Sequence, residues 1–109
     1  ETGWLKFGGQ VSAEQCNFAG IGALDSGISG ASFNTFGNSS VQMGIRAQVQ
    51  HLKAYSSHNP LNNECIDPRF SLVRRGSAPF VEDLSGKWAS DPLYGRKIRT
   101  LLDTLYQLN

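Results

Sequence analysis

Two helical periodicities constrain what this chain can become. Val41, Ile45, Val49 and Leu52 recur at i, i+4, i+8 and i+11, the spacing that returns side chains to one face of an α-helix. Asn38-Ser39-Ser40 stands just before them and supplies helix-start residues, so a helix is expected from about Ser40 to about Tyr55. Ile98, Leu101, Leu102, Leu105 and Leu108 mark a second apolar face, and Asp91-Pro92 sets where that helix begins.

The stretch between these helices is built differently. Ser56 to Leu72 contains Asn59-Pro60, Asn62-Asn63 and Asp67-Pro68, a density of turn formers that predicts an ordered but irregular excursion, pinned by Leu61, Ile66, Phe70 and Leu72. Ser77, Pro79 and Glu82 predict a short helix ending at Gly86. Near the start, Ser12-Ala13-Glu14-Gln15 has the spacing of a capping box and predicts a helical turn. From Phe18 to Phe36 the residues are mainly Gly, Ser, Ala and Ile, which reads as two short strands joined by a Gly27 to Gly30 loop. The expected class is therefore α+β, mostly α, with one small β-hairpin, residues 1–109 forming one domain.

Charge excludes several partners. A formal net charge of +1 with 17% charged residues offers no polybasic block of the kind that grips nucleic acid or anionic lipid. No apolar run is long enough to span a bilayer, and an export signal, if the protein is exported, is expected upstream of Glu1. Arg69, Arg74 and Arg75, with Arg96, Lys97 and Arg99, read as solvated faces with an anionic polymer as the competing use. His51 and His58 lie seven residues apart without a thiol or carboxylate in a ligand pattern, so they read as solvated or capping residues and no metal or cofactor is implied. Cys16 and Cys65 are too far apart in sequence for a metal knuckle; they are a candidate disulfide or two free thiols.

Acid chemistry has few candidates in the first 40 residues, where Glu1, Glu14 and Asp25 are the only carboxylates. Glycoside hydrolysis ordinarily uses two, one protonating the leaving oxygen and the other activating water or attacking the sugar. Glu14 is expected to face solvent. Asp25 serves either as a second acid or as a turn residue bonded to its own backbone. Phe18, Phe33, Trp88 and Tyr94 stand where a sugar groove would use aromatic faces, with packing as the competing role for Phe18 and Phe33. Trp88 lies in the non-periodic stretch Gly86 to Pro92, which favours a cleft-lining position.

These pieces, taken in order, resemble the glucosaminidase family, glycoside hydrolase family 73, enzymes that cut peptidoglycan between N-acetylglucosamine and N-acetylmuramic acid. Glu1-Thr2-Gly3-Trp4 looks like the family's Glu-Ser-Gly-Trp segment at the end of the catalytic helix. Asn17-Phe18-Ala19-Gly20-Ile21-Gly22 looks like its Asn-x-Phe-Gly-Ile turn, and Trp88-Ala89-Ser90-Asp91-Pro92-Leu93-Tyr94 is similar to its Tyr-Ala-Thr-Asp-Pro-x-Tyr motif. Phe33 and the helix after Ser39-Ser40 occupy the places of the family's aromatic strand and following helix.

The resemblance implies a lysozyme-like domain with a small β-lobe, lacking the helices that would precede Glu1. It implies Glu1 as general acid, Trp88 in place of a Tyr beside the cleaved sugar, and Asp25 as the only acid in the hairpin. It further implies peptidoglycan glycan strands as partner, no cofactor, a monomer, and work outside the cell or at the cell wall, as an autolysin or a phage lysin. A fragment cut before Glu1 is expected to be weak or inactive. The alternative from another class is a non-catalytic glycan-binding or phage tail structural module of the same fold.

Overall fold

The computed structural model describes residues 1, 5–23 and 29–108, and all of its regular structure is helical. Two α-helices, α1 over Ser40–Ser56 and α2 over Tyr94–Gln107, are accompanied by 3₁₀ turns at Ala13–Gln15, Gly37–Ser39, Phe70–Leu72 and Val81–Leu84. These residues divide into two compact units, one comprising Glu1–Lys53 with Pro60–Val73, the other Ala54–Asn59 with Arg74–Asn109. Among the described residues no helix is long and apolar enough to cross a membrane.

The β-hairpin expected between Phe18 and Phe36 is corrected: no strand forms among the described residues. Single backbone bonds take its place, from Ala31 N–H to the Ile21 carbonyl at 2.8 Å and from Phe33 N–H to the Gln15 carbonyl at 2.7 Å. The physical reason is side-chain supply. Gly20 and Gly22 adopt positive φ, which breaks the extended run a strand requires, and the buried Asn17 amide takes backbone partners that a ladder would otherwise pair. Its Nδ2 donates to the Ile21 carbonyl at 2.9 Å and the Ala31 carbonyl at 3.0 Å, while its Oδ1 accepts from Ile21 N–H at 2.9 Å. Gly30 completes this join, since a Cβ there would stand 2.7 Å from Asn17 Nδ2 and 2.8 Å from Val11 Cγ1.

Helix α1 forms where the periodicity predicts it, but with its faces reversed. The apolar series is on the outside: Val41 is 54% exposed, Ile45 49%, Val49 59% and Leu52 38%. Its buried face consists of Ser40, Gly44, Ala47, Gln50, His51 and Ala54. Small residues let the helix backbone lie close to its neighbours, so burial here follows size and hydrogen bonding more than hydrophobicity. Around it, Val11, Ala19, Ile21 and Phe33 supply apolar core in the first unit.

In the second unit α2 packs on the Val81–Leu84 turn. Gly95 makes that approach possible, since a Cβ there would stand 2.5 Å from Glu82 Cα, and Arg99 pairs with Glu82 at 3.2 Å across the same contact. The expected apolar face of α2 is likewise largely outside, with Leu101, Leu102, Leu105 and Leu108 exposed.

Candidate functional site

The Asp-Pro-x-Tyr stretch folds as a coupled turn and helix start. Asp91 Oδ1 accepts from Leu93 N–H at 2.8 Å, its carbonyl accepts from Tyr94 N–H at 3.1 Å, and its Oδ2 pairs with Lys97. Pro92 fits because its fixed φ suits the residue that follows an Asx turn and it needs no N–H partner there. The Lys97 ammonium, bonded directly to the carboxylate, and the Leu93 N–H hold the Asp91 pKa below its ordinary 3.8.

Trp88 is set just before this turn. Its N–H and that of Lys87 both donate to the Leu84 carbonyl, at 2.9 and 3.0 Å, and Gly86 N–H donates to the Ala89 carbonyl at 2.8 Å. This closes a tight loop in which Gly86 takes positive φ. The half-buried Trp88 ring meets Tyr55 edge to face, with centroids 6.0 Å apart and planes at 63°, while Tyr55 Oη donates to the Lys87 carbonyl at 3.1 Å. The indole is thus braced by Tyr55, and the residue as a whole stays half-buried. Tyr94 is also half-buried.

In the first unit, Glu1 is exposed. Phe18 is half-buried, in an edge contact with Phe7 at 6.3 Å, and follows directly on the Asn17 clasp. Phe33 is only 3% exposed, which makes it a packing residue and removes it as a stacking surface for a sugar. Asp25 lies outside the described residues. Cys16 and Cys65 are both free thiols, so the candidate disulfide is not formed. Cys65 Sγ donates to the Asp67 carbonyl at 3.4 Å. Although Cys65 is exposed, partial desolvation of its thiol, reinforced by the Asp67 charge, pushes its pKa above the ordinary 9.0, the opposite of what a thiol nucleophile needs.

The polar cluster that sequence reasoning missed lies on α1. His51, expected to be solvated or capping, is buried with Nδ1 2.7 Å from Oδ2 of Asp67, whose own side chain is wholly out of solvent. Asp67 Oδ1 accepts from Arg69 N–H at 2.9 Å. Next to it, Gln50 Oε1 accepts from Ile66 N–H at 2.7 Å and Asp67 N–H at 3.2 Å, and its Nε2 donates to the Glu64 carbonyl at 2.8 Å. Two adjacent helical residues thereby order residues 64–69, a task assigned in the sequence to apolar pins, of which Leu72 is in fact exposed. The available signal was Asp67-Pro68, an Asx-turn pair, seventeen residues after a Gln-His pair on the helix. Among the described residues no cluster of three or more His, Cys, Asp and Glu has the form of a metal site.

Comparison with known proteins yields one extended match. A protein of Borreliella burgdorferi, described as an uncharacterized protein, is 50% identical over all 109 residues. Those residues make up 51% of it, so the chain spans about half the length of the curated relative it matches. No family model matches the chain, and no solved structure matches it.

Proposed function

We propose that this chain is part of a lysozyme-like peptidoglycan hydrolase of the glucosaminidase type, cleaving the β-1,4 bond between N-acetylglucosamine and N-acetylmuramic acid outside the cell or at the cell wall. The observation that carries this reading is the Trp88 to Tyr94 corner. There the most specific of the resembling motifs sets a half-buried Trp88 edge to face against Tyr55, followed by an Asp91 turn that starts α2. A partly accessible indole offers an apolar face to a pyranose ring. In this reading the first unit supplies Glu1 as general acid, Asp25 as second carboxylate and Phe18 as a substrate-binding aromatic, the second unit supplies Trp88 and Tyr94, and no cofactor is needed.

The alternative from another class is a non-catalytic glycan-binding or tail structural module of the same fold. Purified cell-wall sacculi separate the two. The full-length protein is expected to release new reducing ends, and Glu1→Gln to lower that rate by roughly 100-fold or more. Sacculus binding without release of reducing ends would favour the module; neither binding nor release would exclude both.

A further inference from the structure

The exposed ridge of α1 cannot be explained by a helix free to turn. Gln50 and His51 are each hydrogen-bonded to the 64–69 segment, and Gly44 is wedged against Cys16. These contacts fix the rotation of the helix about its axis and hold Val41, Ile45, Val49 and Leu52 outward. Four β-branched or branched aliphatic side chains at helical spacing, all facing water, make a continuous apolar strip where isolated exposed residues would need no account.

Beside that strip lies a cleft of about 250 Å³, lined by Val49, Leu61 and Gln50 and edged by Arg46 and Lys53. Among the described residues neither cation has a carboxylate partner; Lys53 donates instead to the Pro60 carbonyl at 2.8 Å. The surface therefore combines an apolar ridge, a recess able to take one large side chain, and positive charge along the rim.

We infer that this ridge and cleft are the docking surface for an amphipathic helix supplied by the half of the longer protein that these 109 residues do not match. The Borreliella burgdorferi relative has nearly as much chain again outside the matched region. Covering Val41 to Leu52 takes only about 16 Å, roughly three turns of helix, which is a small part of that length. The complementary helix carries apolar residues at three- and four-residue spacing, one large side chain for the cleft, and a carboxylate facing Arg46 and Lys53. A helix of this pattern covers the strip and neutralises its rim together. Nothing in this inference depends on the glycan chemistry proposed above.

The test uses the intact relative. A photo-crosslinking residue placed at the position aligned with Ile45, followed by mass mapping, is expected to join that position to the unmatched half. Cysteines at the positions aligned with Ile45 and Val49 should be alkylated at least about 100-fold more slowly in the intact relative than Ile45→Cys and Val49→Cys in the 109-residue chain. Rapid alkylation in both proteins would overturn the inference. So would crosslinks that join two copies of the relative, or protection in the 109-residue chain that rises with its concentration, since either would assign the ridge to self-association.

Discussion

Gly44 of α1 faces Cys16 so closely that a Cβ at position 44 would overlap the Cys16 carbonyl oxygen and come within 3.0 Å of its carbonyl carbon. A methyl group usually favours a helix interior by up to about 1 kcal/mol relative to glycine. Here backbone, which cannot swing aside, occupies the space. Gly44→Ala is expected to destabilise the chain by about 2 kcal/mol net, in the range of overpacked cores. Gly9→Ala, with nothing within 4 Å of the added carbon, should change stability little. Urea unfolding followed by circular dichroism measures both, and equal midpoints for the two variants would refute the packing argument.

Asp67→Ala removes the partner of Nδ1 of buried His51 and the acceptor for Arg69 N–H at once. Leaving buried polar groups unsatisfied costs about 1–3 kcal/mol each, so a loss of about 3 kcal/mol is expected. Asp67→Asn, which keeps an acceptor oxygen, should lose less. Thermal unfolding of the two variants gives the ranking, and the reverse order would show that the carboxylate charge is unfavourable at this site.

Asp91 titrates with the turn that starts α2. Its folded pKa is lowered, first by the bond from Lys97 and then by Leu93 N–H. Its contribution is therefore present above the unfolded carboxylate pKa and lost as pH falls through the lower folded value. A carbon-detected NMR titration should place the Asp91 midpoint below 3.8, and Lys97→Met should move it upward. A midpoint that stays in place after that substitution would remove Lys97 as the cause.

Cys65 should react slowly. Although the residue is exposed, its pKa is raised by partial desolvation and then by Asp67, so less thiolate is available at any given pH, and alkylation near pH 8 should trail that of an unstructured cysteine. Asp67→Asn relieves the second cause and should speed the reaction. Mass spectrometry at timed quench points follows each thiol separately, and a Cys65 rate at or above the unstructured reference would contradict the assignment.

Trp88→Ala removes an indole that is braced by Tyr55 but only half-buried. The expected cost is about 1–2 kcal/mol, below the roughly 3–5 kcal/mol of deleting a fully buried aromatic. Trp88→Phe should recover most of it. Under the proposed glycan chemistry, sacculus binding should fall with Trp88→Ala by more than this destabilisation explains at a temperature where the variant is folded. Unchanged binding would take Trp88 out of the sugar site.

Helix positions were legible because periodicity and start residues act locally. Ser40 and Asp91-Pro92 bracket α1 and α2 as the sequence indicates, and the Asp91 turn follows from the chemistry of its side chain. Which face of α1 is buried was not legible. Hydrophobic patterning points to Val41, Ile45 and Val49, yet Gly44, Ala47 and Ala54 permit the close backbone approach and Gln50 with His51 make the bonds. The hairpin failed for a related reason. Composition from Phe18 to Phe36 suits strands, whereas one buried amide at Asn17 takes the backbone groups that would pair them. Long-range polar bonds leave no periodic trace in a sequence. For the proposed site, the non-periodic stretch around Trp88 suggested a cleft-lining position and the residue is half-buried, while the burial of Phe33 was foreshadowed only by its competing role in packing.

Asn17 ties Ile21 to Ala31, and Gln15 Nε2 adds a bond to the Gly30 carbonyl at 2.9 Å, so the approach of these two backbone segments is set by two side chains that precede both of them in the chain. The join is written in side-chain identity and not in a strand register, so a single change at Asn17 reaches Ile21 and Ala31 together.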